Sequence, residues 1–303
     1  MDYLRVFERP ELRDPLMIAA FAGWNDASEV ATFAAKFLVQ EWTARKMAEI
    51  EPEDFYDFTE TRPTVRIAGR SQRRIEWPAN EFYFHIDPNG EKDYIVLIGV
   101  EPQLKWRTFT DMLIAFAKQH KVSRLVTLGG LVADAPHTLP ARLSGASNSA
   151  TLAHTLRRLG VEATRYEGPT GITGVLNSYF ARAGFTTASI WGSVPDYLSA
   201  SPNVKVSLAL LETLGELLDL ELDLSDLRAL EQQFDHQVNE ALADNPEVQA
   251  YVHELEERLH LGPPEEEEPK EPPENLPSGR DIVQELEEYL RRRQRGKGGS
   301  QSS

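Results

Sequence analysis

Residues 16–22 read LMIAAFA, and residues 94–100 read YIVLIGV. Each run is uninterrupted by charge, so neither shows the in-out alternation of a strand with one wet face. Both are far short of the ~20 apolar residues needed to span a bilayer. Continuous apolar runs of strand length fit strands covered on both faces, as in parallel sheets. Two shorter runs, RLVTL at 124–128 and TASIW at 187–191, are of the same kind. Between these runs lie segments of helical period and length, roughly residues 28–42, 107–120, 148–159, 171–183 and 204–218. Strand followed by helix, repeated, means parallel strands joined by crossovers. The pattern predicts an α/β fold: a three-layer α/β/α sandwich with a mostly parallel sheet.

One region breaks the alternation. Residues 64–70, 73–77 and 81–87 read as consecutive short strands separated by turn residues, among them Pro78 and Asn80. They predict an antiparallel β insertion, whether an edge hairpin, a lid or an oligomer contact. Beyond Leu218 the pattern changes again. Residues 225–243 and 246–260 are helical in period, with Ser225 placed to cap the first and Pro246 suited to the opening position of the second. The sequence GPPEEEEPKEPPENLP at 262–277 is too rich in proline and charge to bury a core and reads as an extended linker. After it, Ser278 can cap one more helix, on which Ile282, Val283, Leu286, Tyr289 and Leu290 form a single apolar stripe. Such a stripe docks either on its own domain or on a partner. The expected organisation is a core at 1–222, a helical hairpin at 223–261, the linker, and a tethered helix with a flexible end at 278–303.

The 303 residues carry 32 basic and 48 acidic side chains, a net charge of −16. The acidity is uneven: residues 225–260 hold 2 basic and 9 acidic groups, whereas residues 1–224 hold 23 and 29. A surface of this sign repels phosphate backbones, which argues against nucleic acid and anionic membranes as partners. There is no cysteine, so disulfides, thiolate nucleophiles and sulfur-based zinc sites are excluded. The opening MDYLRVFERPELRD has no apolar core of signal-peptide length, and the expected location is the cytoplasm.

Three stretches are dense enough to carry chemistry. In YEGPTGITGVLNSYFARAG (166–184), Gly168, Gly171 and Gly174 recur at three-residue spacing before a helix. A P-loop would need Lys-Ser/Thr directly after its last glycine, and Val175 follows Gly174. A dinucleotide fingerprint would need Gly-x-Gly-x-x-Gly with an acid about twenty residues on, and the segment offers only Gly171-x-x-Gly174. What remains is a helix N-terminus with Thr170 and Thr173 beside it, able to receive an anion, or a tight turn packed closely on the sheet.

In LGGLVADAPHT (128–138), the doublet Gly129-Gly130 ends a strand and sets Asp134 and His137 on the loop beyond it, where open α/β sheets bind ligands. The pair is either an acid/base dyad or loop scaffolding, and Ser144, Ser147 and Ser149 lie outside any nucleophile elbow. In FAGWNDASEVAT (21–32), Trp24 either roofs a pocket or plugs the core, while Asp26 or Ser28 caps the following helix. The histidines, His236, His253 and His260 included, show no metal spacing, and neither cofactor nor metal is expected.

Together LMIAAFAGWNDA, LGGLVADAPHT and GPTGITGVLNSYFARAGFTTASIWGSVPDYLSASPN resemble the PAC2 family, named for the proteasome assembly chaperones. The likeness extends over most of residues 14–218 and is nearest to actinobacterial-type members, which share an ending similar to LPSGRDIVQELEEYLRRR. The resemblance implies a fold similar to purine nucleoside phosphorylases, self-association with a trimer as one arrangement it suggests, and a chaperone-like role. It brings no catalytic residues. The eukaryotic chaperones end in a hydrophobic-Tyr-X tail, whereas this sequence ends SQSS and Tyr289 follows Glu288 inside the terminal helix.

Two functions are therefore in play. One is a non-enzymatic, homo-oligomeric interaction protein whose protein partner the sequence does not identify. The other is a nucleoside- or phosphate-like small-molecule site at the carboxyl ends of the strands, built from Trp24, Asp26, Gly130, Asp134, His137, Thr170, Gly171, Thr173 and Gly174.

Overall fold

The computed structural model describes residues 3–68, 72–164, 166–198, 202–243 and 245–260. Along the chain run β1 (Leu4–Val6), β2 (Leu16–Ala22), α1 (Val30–Glu41), β3 (Arg45–Ile50), β4 (Thr64–Ala68), β5 (Gln72–Glu76), β6 (Asn80–His85), β7 (Tyr94–Val100) and α2 (Trp106–Gln119). They are followed by β8 (Arg124–Ala133), β9 (Leu143–Ser147), α3 (Ala150–Arg158), β10 (Glu162–Ala163), α4 (Ile172–Arg182), β11 (Thr186–Pro195), α5 (Val204–Leu218), α6 (Ser225–Ala243) and α7 (Pro246–His260).

Nine strands form one mixed sheet in the order β1-β3-β6-β7-β2-β8-β11-β9-β10. Its centre, β7-β2-β8-β11, is parallel throughout, as the apolar runs predict. Strand parity divides the core. Leu16, Ile18 and Ala20 of β2 pack with α1, α3 and α5 on one face, while Met17, Ala19 and Phe21 pack with α2 and α4 on the other. This is the coverage on both faces that the run LMIAAFA demands, and it explains the absence of any polar alternation.

Two sequence readings are corrected. The third strand of the expected insertion, β6, belongs to the main sheet, antiparallel to β7 and to β3. Its alternate residues Phe82 and Phe84 are buried, Phe82 against the ring of Phe116 at 4.2 Å, and that burial draws the strand into the sheet. Only β4 and β5 stand apart, as a two-stranded hairpin. The second correction concerns β8, which does not end at the glycine doublet but continues to Ala133, paired along its full length with β11. Gly129 serves close approach instead of a turn: a Cβ there would lie 2.5 Å from the Trp191 ring on the neighbouring strand.

Helices α6 and α7 occupy the predicted positions and bury Leu227 and Val238 from the first, Val252 and Leu255 from the second. The expected linker and terminal helix, with Ile282, Val283, Leu286, Tyr289 and Leu290, lie outside the described residues.

Candidate functional site

At the carboxyl end of β2 the chain turns through Gly23, at φ +118°, and Asp26 N–H donates back to the Gly23 carbonyl at 3.1 Å. The turn carries Asn25 and Asp26 across to β8, where Gly130 N–H donates to the Asn25 carbonyl at 2.8 Å. Gly130 has to be small: a Cβ would meet Val30 Cγ2 at 2.4 Å. Asn25 is fully buried, so both ends of its amide need partners. Its Nδ2 donates to Glu101 Oε1 at 2.7 Å, and its Oδ1 accepts from the Thr173 hydroxyl at 2.8 Å. Glu101 follows β7 directly, and its backbone N–H is held by the Ala22 carbonyl at 2.8 Å.

The same Glu101 Oε1 accepts from the backbone N–H of Ile172, the first residue of α4, at 2.8 Å. A helix N-terminus favours negative charge, and here the charge comes from the chain itself. Gly171 adopts an extended conformation with no side chain of its own to cap the helix. A Cβ on it would lie 2.0 Å from Asn25 Oδ1, so only glycine admits the buried amide at this corner. Gly174 lies one turn in, against the Thr170 hydroxyl, and Asn177 continues the polar seam by donating to Thr127 Oγ1 at 2.7 Å. Two glycine-bearing corners, at Gly23 and Gly171, thus meet Gly130 inside strand β8 at one rim, joined by a network that runs Gly130, Asn25, Glu101, Ile172 and Thr173.

The sequence model of the PAC2 family matches residues 20–242. The chain belongs to the PAC2 family. Among solved structures, a proteasome-assembly chaperone homologue of Mycobacterium tuberculosis is 39% identical, covers 78% of this chain and 99% of its own, and superposes with a TM-score of 0.71. A PAC2 family protein of Streptomyces avermitilis is 40% identical, with coverage of 79% and 100% and a TM-score of 0.70. An archaeal proteasome activator of Pyrococcus furiosus, 22% identical with coverage of 80% and 99%, shares the fold at a TM-score of 0.64. No functionally curated protein matches the chain.

Beside the rim of this PAC2 protein, Asp26 caps α1 from a distance. Ser28 and Glu29 both take left-handed conformations, φ 52° and 55°, and this arc lets the Asp26 carboxylate reach back over the helix start. It accepts from Ala31 N–H at 2.7 Å, from Thr32 N–H at 3.3 Å and from the Thr32 hydroxyl. Burial pushes its carboxyl above the usual range, against the opposing pull of those hydrogen bonds. Of the two capping candidates, Asp26 does the capping. Trp24 does not plug the core: its side chain is 61% exposed, because the Gly23 turn directs it outward.

Asp134 and His137 lie beyond β8, but His137 is tied to the C-terminal helices. Its backbone N–H donates to Tyr197 Oη at 2.7 Å; its Nδ1 lies 2.8 Å from the same hydroxyl, and its Nε2 lies 3.2 Å from Asn239 Oδ1 on α6. One tautomer satisfies all three contacts: the hydroxyl donates to Nδ1, and Nε2–H donates to the amide oxygen. Lys205 adds a bond to the His137 carbonyl at 2.6 Å and one to Asp235 at 2.8 Å. His137 therefore couples the β8 loop to α5 and α6. Among the described residues no cluster of His, Asp and Glu is arranged for a metal. The residues that sequence reading missed are Asn25, Glu101 and Asn177. Glu101 had a signal: it is the acid that directly follows YIVLIGV.

Proposed function

We propose that this PAC2 protein acts by binding other proteins, as a homo-oligomeric, assembly-chaperone-like scaffold that works in the cytoplasm without catalysing a reaction. The observation that carries the reading is the engagement of Glu101. A carboxylate at the strand ends of an α/β sheet is the natural general base or ligand anchor, yet here it is fixed on Ile172 N–H and Asn25. Asp26, the other acid at the rim, is likewise engaged by Ala31 and Thr32. The family adds support, since the Mycobacterium tuberculosis relative is a proteasome-assembly chaperone homologue.

The test is to mix the proteasome subunits of the host with and without this protein and follow assembly on native gels, with thermal-shift scans against nucleosides, nucleotides and phosphate alongside. The reading predicts a complex with subunits or faster particle formation, and no ligand shift. A ligand stabilising the protein by about 2.7 kcal/mol at 100 times its dissociation constant, with assembly unchanged, would favour a small-molecule site at the rim instead.

A further inference from the structure

The β4–β5 hairpin pairs Val65 with Ile75, Ile67 with Arg73 and Arg66 with Arg74. Side chains on a strand alternate, so Val65, Ile67, Ile75 and Arg73 share one face while Arg66 and Arg74 share the other. Val65 is 56% exposed, Ile67 76% and Ile75 55%, so the apolar face is largely open to water. Trp77, packed on Phe58 at a ring distance of 4.8 Å, anchors the base of the hairpin. A two-stranded hairpin is marginal in water by itself, and three β-branched side chains held on it need a cover.

Charge selects the cover. Between Arg62 and Trp77 the sequence has five arginines and one glutamate, in a chain of net charge −16. Two such arms pressed together would set arginines against arginines, which disfavours a symmetric arm-to-arm contact. The complementary surface lies elsewhere on the same chain. Where α5 passes into α6, Glu216, Asp219, Glu221, Asp223 and Asp226 are all exposed, and Leu230 adds an apolar contact at 47% exposure.

We infer that the hairpin is a self-association arm, laying its Val65, Ile67 and Ile75 face against the acidic α5–α6 corner of a second copy of this chain, with Arg73 of the same face set toward the carboxylates. The inference rests on the self-association proposed above and assigns its interface. Because arm and corner are different surfaces, the contact is head-to-tail, and it closes into a ring or propagates depending on its rotation.

Light scattering on the full chain at micromolar concentration tests this with three variants: Val65→Asp with Ile67→Asp, Arg73→Glu, and Glu221→Lys with Asp226→Lys. All these positions are exposed, and circular dichroism verifies that each variant stays folded. The wild type is expected to run as a multiple of the chain mass, each variant to associate at least about tenfold more weakly, and the two charge reversals combined to recover association. A monomeric wild type would overturn both self-association and the arm. An oligomeric wild type with unaltered arm variants would overturn the arm alone. Weakening by the arm variants without weakening by the corner variant would overturn the choice of occupant.

Discussion

The carboxylate of Glu101 and the backbone N–H of Ile172 lie 2.8 Å apart across 71 residues of sequence. That bond closes the rim of the sheet, because the same oxygen also holds the buried amide of Asn25. A helix N-terminus that would otherwise face an external anion is satisfied from within.

Glu101→Ala would leave the Nδ2 of the buried Asn25 and the Ile172 N–H without their acceptor in a part-buried site. The expected loss is about 1–3 kcal/mol, read as a lower midpoint in urea unfolding at unchanged slope. The variant also frees the N-terminus of α4. Phosphate should therefore raise its melting temperature while leaving the wild type unmoved.

Gly171→Ala places a methyl group 2.0 Å from Asn25 Oδ1. Overpacking of this kind costs about 1–3 kcal/mol, and the amide cannot swing aside because Glu101 and Thr173 grip both its ends. In the double variant with Asn25→Ala the clash is gone. A double-mutant cycle should thus show a combined loss clearly smaller than the sum of the two single losses.

Asp93 contributes to acid stability. Burial alone would raise its carboxyl, but hydrogen bonds from the Arg13 side chain and backbone, the latter at 2.6 Å, and from Asp87 N–H at 3.1 Å hold it below the ordinary range. A depressed carboxyl stabilises the fold above its unfolded pKa of ~3.9, and that contribution is lost as pH falls through the folded value. Asp93→Asn should therefore lower stability at pH 6 and flatten its decline in acid, followed by melting temperature from pH 6 to 2. Asp26 works in the opposite direction. Raised by burial, it favours the fold most when protonated, and that contribution is lost as pH rises through its folded value.

Tyr197 joins the loop beyond β8 to the C-terminal helices. Burial pushes its hydroxyl up to about 12. The raised value means the associated stability is present below the unfolded value of ~10 and is lost as pH climbs toward the folded one. Tyr197→Phe should cost about 1–3 kcal/mol, since His137 N–H and Nδ1 both lose their partner, and should remove one late-titrating phenol from an ultraviolet pH titration.

The central strands are legible in sequence because burial on both faces leaves an unbroken apolar run, as in β2. Strand β3, RKMAEI, is not legible. It opens on Arg45 and Lys46, and only Met47, Ala48 and Ile50 are buried, so its pattern is that of an ordinary surface segment. Strand β9, LSGAS, has only Leu143 as a large apolar side chain, and its place is set by pairing with β11. The close approaches at the rim show in sequence as Gly130 and Gly171, where a Cβ would collide with Val30 and Asn25. The network between them does not. Asn25, Glu101 and Thr173 find one another only after β2, β7 and α4 have packed, and no spacing along the chain encodes that meeting.

Native mass spectrometry of the protein isolated from its host tests the central claim most directly, because it reports copy number, partners and retained small molecules together. A rim filled by Glu101 and Asn25 predicts multiples of the chain mass, with or without bound protein and with no small-molecule adduct. A stoichiometric small molecule that is retained by the wild type and lost from Asn25→Ala or Glu101→Ala would contradict it.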